Sequence, residues 1–466
     1  MKQLTRLFIP ICLETLFYML SGMVDTLMLS AVGDYAVGAV GTANSYIGIF
    51  IIMFSIISSG MVSVMTQNIG AGRPGVAYQA RQLGLLFNAV AGVLMAVFLF
   101  SGAGAILRMV GIADALYEPA LIYLKIVGGG CILNAVIPIF SSYLRAFGYT
   151  KQPLYATIVG NIANFVMNAV FLFVLHKGVA GVATATVISK ILNLCIVLYF
   201  SHKLISAKNS TERIANKTVL GQIVKVGLPS ACETALYNVA MMLVIRFLNQ
   251  MDAEGLNVTA RSYTATISNF SYCVGAALAQ ANAIMTGWHI GAGELEECDR
   301  GTKRAAFVGV CVAVCMETAI VLGSGFIMPL FTDNPEMTAL VRKLLAIDIV
   351  LEIGRVTNLV FGQALKTSGD AVFPAVIAAV FMFVFAVGGT WLFGISMGLM
   401  AVERISVLQV TSVCGLSAWY GAGKPGSGEQ RSLCEQEEYQ QKTKNQLREI
   451  HIYVNVVHFH KIFTKN

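Results

Sequence analysis

The chain has 466 residues, of which 56% are hydrophobic and only 12% are charged. Soluble domains carry about 25% charged residues, so this much apolar surface requires lipid and excludes a soluble fold. The net charge of +7 does not indicate a nucleic-acid partner, because the basic residues lie in short loops between apolar segments, where they set membrane orientation.

Eleven apolar segments are long enough to cross a hydrocarbon core of about 30 Å as helices. They cover about 7–31, 37–65, 83–107, 120–144, 154–176, 179–201, 229–250, 260–286, 305–330, 338–363 and 371–396. The first follows Lys2 and Arg6 without a small-residue cleavage site, which predicts a retained helix and no cleaved signal peptide. A twelfth segment, about 398–421, contains Glu403, Arg404 and Gln409 and would insert only weakly.

The loops predict the orientation and the division of the chain. Fifteen Lys and Arg residues lie on the side of the N-terminus and four on the other side, so the N-terminus is expected in the cytoplasm. A polar, basic connection separates the segments, which gives an N-terminal lobe at 1–203, a cytoplasmic linker at 204–228 and a C-terminal lobe at 229–421. The polar tail at 422–466 is expected to be a soluble or disordered extension.

An internal repeat supports this division. Residues 10–14 read P-I-C-L-E, and in the second half residues 229–233 read P-S-A-C-E. Met65, Thr66 and the I-G-A-G sequence at 69–72 recur at 285–286 and 290–293, at nearly the same offset along the chain. An even number of helices per half leaves both halves in the same orientation. The fold class is therefore an all-α polytopic membrane protein of two parallel six-helix bundles, with a cavity between them.

Asp25 is the ionisable residue within the apolar segments that most strongly suggests a function. A buried carboxylate is costly in lipid, and there it could bind and release a proton or a small cation. The alternative is a carboxylate that only hydrogen-bonds a neighbouring helix. Asn161, Asn164 and Asn168 share one helix face, which would contact a neighbouring helix or line a polar path beside Asp25. Asn44 is a weaker version of the same signal.

Carboxylates recur in the seventh and tenth segments. Glu233 follows Pro229, and the carbonyls that a proline frees could help to coordinate a cation there. Tyr237 lies one turn further on the same face. Glu14 holds the equivalent place in the first half. Glu352 and Arg355 could neutralise each other or contact a substrate or proton. Lys125, Lys190 and Glu317 are interpreted as packing residues or as side chains that extend to the membrane surface.

No arrangement in the sequence indicates an enzyme. The ten cysteines lack paired spacing, the I-G-A-G segments are not phosphate-binding loops, and no nucleophile is paired with a base. His451, His458 and His460 in the tail are interpreted as solvated. We therefore expect no catalytic residue, no metal site and no cofactor besides a coupling ion.

Several short sequences, in order, carry a family resemblance. They are Pro10 with 22–26 (G-M-V-D-T), 39–41 (A-V-G), 67–72 (Q-N-I-G-A-G), Pro229 with Glu233, and 364–370 (A-L-K-T-S-G-D). Together they resemble the multidrug and toxic compound extrusion (MATE) transporters of the bacterial NorM and DinF-like type, over about residues 1–396. The resemblance implies twelve helices in two lobes in the bacterial inner membrane. It also implies export of cationic or amphipathic drugs or toxic metabolites in exchange for H⁺ or Na⁺, by a monomer that contacts only lipid and these small molecules.

The resemblance also implies roles for residues. Asp25 matches the first-helix aspartate that binds the coupling ion, and Glu233 matches the seventh-helix glutamate of a sodium site. Arg355 stands where NorM-like members have an aspartate, which favours protons over sodium, or ion binding at Asp25 alone. The sequence after about 397 departs from the family, and a frameshifted reading frame is one explanation. A lipid-linked oligosaccharide flippase and a non-transporting membrane scaffold remain alternatives.

Overall fold

The computed structural model describes residues 2–205, 213–251, 256–330, 332, 334–394, 399, 402, 404–407, 410 and 413. Its helices are α1 Lys2–Ser30, α2 Asp34–Gly70, α3 Pro74–Val110, α4 Asp114–Gly129, α5 Cys131–Ala146, α6 Lys151–Ala169, α7 Gly178–Leu204, α8 Asn216–Met251, α9 Leu256–Ala292, α10 Leu295–Ile327, α11 Pro335–Thr367 and α12 Val372–Phe381. Two π-helical segments, Val170–Val174 and Met382–Gly394, continue α6 and α12.

The helices occur in the predicted order. Within the described residues, eight are long and apolar enough to cross a membrane, and a ninth span results if α4 and α5, bent by 41° at Gly130, count as one. The other two predicted spans are also helical, as α9 and α11, but their serine, threonine and charged residues make them too polar for the same criterion. The all-α prediction is confirmed.

Most helices extend beyond the predicted apolar segments. The largest difference is in α8, which begins at Asn216, so the predicted linker at 204–228 is largely the first turns of a helix. Val219, Ile223 and Val226 are buried at spacings of four and three, the period of a helix face, between the basic residues that suggested a loop.

The first helix of each half bridges both lobes. Leu4, Leu7 and Ile11 of α1 are buried in a cluster with residues of α9, α10 and α11, whereas Met28 and Leu29 join a core formed by α2, α3, α4 and α7. In the same way, the start of α8 is buried against the N-terminal lobe and its end is buried within the C-terminal lobe. The lobes are therefore joined by two exchanged helix halves.

The lobes also touch through repeat-related residues, at the end of the bundle that carries the predicted cytoplasmic loops. The amide of Gln67 donates to the carbonyl of Thr367, and the indole Nε1 of Trp288 donates to the carbonyl of Ala146, at 2.9 Å. The two donors, Gln67 and Trp288, occupy equivalent positions of the internal repeat, and so do the two acceptors, Ala146 and Thr367. We call these two hydrogen bonds the interlobe contact; they are one interaction repeated by the internal symmetry.

Of the predicted twelfth segment, the structure describes Leu399, Val402, 404–407, Val410 and Val413. Leu399 and Val402 are buried in the C-terminal core with Met382 and Ala386. The predicted tail at 422–466 lies outside the described residues, as does Glu403.

Candidate functional site

A carboxylate and two amides meet between α1 and α6. The Nδ2 of Asn168 donates to Asp25 Oδ1 at 2.8 Å and to Asn164 Oδ1 at 3.2 Å. Asn164 is 5% exposed and Asn168 is fully buried, whereas Asp25 is half-buried. The Asn168 Oδ1 has no hydrogen-bond partner. A carboxylate that can be reached from one side therefore lies beside a free amide oxygen.

The asparagine stripe of α6 faces α1 along its length. Asn161 donates to the carbonyl of Phe17 at 2.9 Å, about two turns before the contact of Asn168 with Asp25. Of the two alternatives that the sequence left open, the structure shows the contact with a neighbouring helix, and one of these contacts is with Asp25 itself. A polar path beside Asp25 stays a prediction.

A second polar layer surrounds the Asp25 site. The Tyr123 hydroxyl faces Asn44 and Thr186 and lies close enough to Asp25 to interact electrostatically. The ammonium of Lys190 donates to Asn134 Oδ1 at 2.8 Å and interacts electrostatically with Asp25. Lys190 lies near the middle of α7, about 18 Å from its start at 1.5 Å per residue, so of its two interpretations it fits a packing residue and not a side chain that extends to the membrane surface.

Glu14 and Glu233 each form an ion pair. Arg145 Nη2 lies 2.6 Å from Glu14 Oε1, and Lys366 Nζ lies 2.8 Å from Glu233 Oε2. The basic partners are related by the repeat, and they directly precede Ala146 and Thr367, the carbonyl acceptors of the interlobe contact. The carboxylates of the repeated P-x-x-x-E motif thus hold the helix ends that join the lobes. Their predicted ion binding stays a prediction.

A second charged cluster lies between α9, α10 and α11. Glu352 forms an ion pair with Arg355, the first of the two alternatives that the sequence left open. The Ser268 hydroxyl lies 2.9 Å from Glu317 Oε1 and 2.7 Å from Asp348 Oδ2. Glu317 is fully buried, so of its two interpretations it also fits a packing residue and not a side chain that extends to the membrane surface. The neighbour of Arg355 on α8 is Tyr237, which is 52% exposed and lies one turn after Glu233.

Sequence reasoning missed neutral residues of both sites. Asn134 and Thr186 border the N-terminal site, and Ser268 joins the C-terminal carboxylates. Such residues are common in these segments, and their spacing within one helix does not reveal a partner on another. The usable signal was an ionisable residue in a span, which identified Lys190 and Glu317 as residues in need of an explanation.

The sequence profile described as MatE matches residues 10–170 and 229–392. The chain belongs to the MatE family. This MatE protein is 32% identical, over 395 residues, to the "Uncharacterized transporter YisQ" of Bacillus subtilis (strain 168), and the match covers 84% of this chain and 86% of the relative. The family resemblance of the sequence is confirmed.

Solved structures share the fold of this MatE protein. One is described as an outward-facing conformation of a multidrug resistance MATE family transporter of the MOP superfamily, with a TM-score of 0.82 and 19% identity over 90% of this chain and 95% of that chain. A MATE protein in a bent conformation has a TM-score of 0.79 and 20% identity over 90% of this chain and 94% of that chain. The chain is therefore a multi-pass membrane transporter with the two-lobed, all-α fold of the MATE transporters.

Proposed function

We propose that this transporter is a secondary active exporter that exchanges cationic or amphipathic small molecules for protons bound at Asp25. The observation that carries the proposal is the half-buried Asp25 carboxylate, held by Asn168 beside an amide oxygen without a partner. One carboxylate on a helix that bridges both lobes is a group whose charge can change with the conformation of the bundle.

The coupling needs only linkage. If the proton and the substrate each bind one conformation of the bundle better than the other, each shifts the same equilibrium. A cationic substrate and a proton would compete for the single negative charge of Asp25. Because a pH difference of one unit corresponds to about 1.4 kcal/mol, a one-for-one exchange supports about a tenfold concentration ratio of substrate per pH unit.

This proposal places the protein as a monomer in the bacterial plasma membrane with its N-terminus in the cytoplasm. The fifteen-to-four distribution of basic residues supports the orientation. Sodium is the alternative coupling ion, since a carboxylate and amide oxygens are hard ligands that also suit a small cation.

The test is transport of a cationic dye by purified protein in liposomes, under separate proton and sodium gradients. We expect the proton gradient to drive accumulation and Asp25→Asn to abolish this effect. Asp114→Asn, which changes an exposed carboxylate at the start of α4, is the matched control and is expected to transport normally.

Each result has a separate meaning. If Asp25→Asn responds to the proton gradient as well as the unmodified protein does, coupling at Asp25 is wrong. If only a sodium gradient drives the unmodified protein, the coupling ion is sodium. If neither gradient drives any dye, the exporter proposal is wrong for this class of substrate.

A further inference from the structure

Two carboxyl groups of the C-terminal lobe contact the same serine hydroxyl, and this contact determines how many hydrogens the three groups carry. Ser268 Oγ lies within hydrogen-bond distance of both Glu317 Oε1 and Asp348 Oδ2, and these three residues are at most 5% exposed. A serine hydroxyl has one hydrogen to donate, and an ionised carboxylate can only accept. Both contacts are hydrogen bonds only when one of the two carboxyl groups carries a hydrogen and donates it to the serine oxygen.

The charges around the cluster also favour a bound proton. Three carboxyl groups meet here, from Glu317 on α10 and from Asp348 and Glu352 on α11. Two cations face them, Arg355 on α11 and Arg261 on α9, and Arg261 also interacts with another group. With every carboxyl group ionised the cluster therefore has at least one net negative charge. Because an uncompensated charge is costly in a membrane interior, binding of a proton by the cluster is favoured.

The remaining titratable neighbours do not alter this count. Tyr237 of α8 and Tyr272 of α9 face Arg355, and Cys273 faces Tyr272. Phenol and thiol groups have reference pKa values of about 10 and about 8.5, so they are ordinarily neutral at physiological pH. In the described part of the chain, the acidic residues that interact with the cluster are those already named.

Polar atoms without partners lie next to the joined carboxylates. Glu317 Oε2 and Glu352 Oε2 are buried and make no hydrogen bond. The Ser271 hydroxyl is fully buried and lies close enough to the Glu317 carboxyl group to interact with it, but outside the distance and angle of a regular hydrogen bond. A hydroxyl can donate to an ionised carboxylate and accept from a protonated one, so Ser271 fits either state of Glu317.

We propose that Glu317 and Asp348 share one exchangeable proton through Ser268, which makes the C-terminal lobe a second proton-binding site beside that of Asp25. A sodium ion does not fit equally well, because two arginines repel a cation and because the serine bridge requires a hydrogen. The role of this proton in transport rests on the proposed exporter function. The presence of the proton does not.

The test measures protonation directly. Infrared difference spectra of the purified full-length protein, recorded without substrate as a function of pH in H₂O and D₂O, show the carbonyl stretch of a neutral carboxylic acid. The serine bridge makes a sharp prediction for single variants. Glu317→Gln and Asp348→Asn each leave one carboxylate, which can accept the serine hydrogen while ionised, so both variants are expected to lose the same band.

Two control variants distinguish a proton shared by Glu317 and Asp348 from other arrangements. Ser268→Ala breaks the bridge but keeps the charge count, so the band should shift in frequency and persist. Asp25→Asn should leave the band in place, which assigns the band to the C-terminal lobe even if the protein transports nothing. Thermal unfolding checks that each variant is folded. If a carboxyl variant does not fold, the band of the Ser268→Ala variant still tests the proposal.

Three results would overturn the proposal. One is a neutral-acid band that survives when either carboxyl variant is combined with Asp25→Asn, since the proton would then not be shared. Another is a spectrum of the unmodified protein without a titrating band. The third is a band that disappears when sodium chloride replaces choline chloride at constant pH, since sodium would then occupy the site.

Discussion

Replacing Gly291 with alanine should push the two lobes apart at the interlobe contact. An added Cβ at this position of α9 would overlap the carbonyl oxygen of Gln67 and approach the Ala71 nitrogen to 2.8 Å. Both are backbone atoms, so no side chain can turn aside to make room. Non-bonded heavy atoms need about 3.5 Å, so α2 and α9 must separate by roughly 1.5 Å in the alanine variant.

The free-energy cost of the added Cβ changes the ratio of two arrangements of the lobes, closed and separated at this end. Overpacking of this kind costs about 1–3 kcal/mol. Since the same clash is absent when the lobes are apart at this end, the ratio of the closed to the separated arrangement should fall by roughly 5- to 150-fold. The related Gly70 approaches the backbone of Trp288 in the same way, so Gly70→Ala should have a similar effect.

Spin labels at Arg73 and Glu296 would report this population by pulsed electron resonance. Both side chains are exposed just beyond the ends of α2 and α9. The labels should be attached through unnatural amino acids, because the chain contains ten cysteines. We expect the alanine variant to lose the short distance and gain a longer one.

The matched control is Gly301→Ala in α10, where an added Cβ meets no atom within 4 Å. It should leave the distance distribution unchanged. If Gly291→Ala also leaves the distribution unchanged in a folded protein, the close backbone approach does not hold the lobes together, and the reasoning is refuted.

Three further changes test separate contacts. Trp288→Phe removes one hydrogen bond between the lobes, worth about 1 kcal/mol, and should lower the closed population about fivefold by the same spin-label measurement. Glu233→Gln and Lys366→Met should each lower the melting temperature, and the double variant should lose less than the sum; an additive loss would mean that the ion pair does not contribute to stability. Asn168→Ala removes a hydrogen bond to a charged carboxylate, worth about 1.5–3 kcal/mol, and should alter how dye transport depends on pH if Asp25 carries the coupling proton.

The order of the helices could be predicted from the sequence because a helix that contacts lipid must be apolar, and long apolar segments are visible in the sequence itself. Their ends could not, because the helices continue past the hydrocarbon region as amphipathic turns. At the start of α8, buried Val219 and Ile223 alternate with basic residues that also suit a loop. The buried face becomes evident only from the N-terminal lobe, which covers it.

Those residues of the candidate sites that are individually unusual in an apolar segment could be predicted from the sequence. Asp25 stood out for that reason, and its contact with Asn168 followed from a polar helix face that needed a neighbour. The pairing of Glu233 with Lys366 depends on two helices that are distant in sequence and meet only in the folded chain. Glu317 was recognised as ionisable, but its partner Ser268 is an ordinary residue whose importance comes from geometry alone.

The internal repeat is preserved where the lobes touch and is lost at Asp25 and at the carboxylate cluster of the C-terminal lobe. The glycines, the hydrogen-bond donors and the carbonyl acceptors of the interlobe contact all recur at one common offset, and the adjoining ion pairs follow the same symmetry. Positions 244–246, which correspond to Asp25 at the repeat offsets, are Val, Ile and Arg. A symmetric contact lets both lobes separate by one kind of motion. Because the buried charges differ between the lobes, the same motion must change two different electrostatic environments, so the two lobes can respond to different ligands.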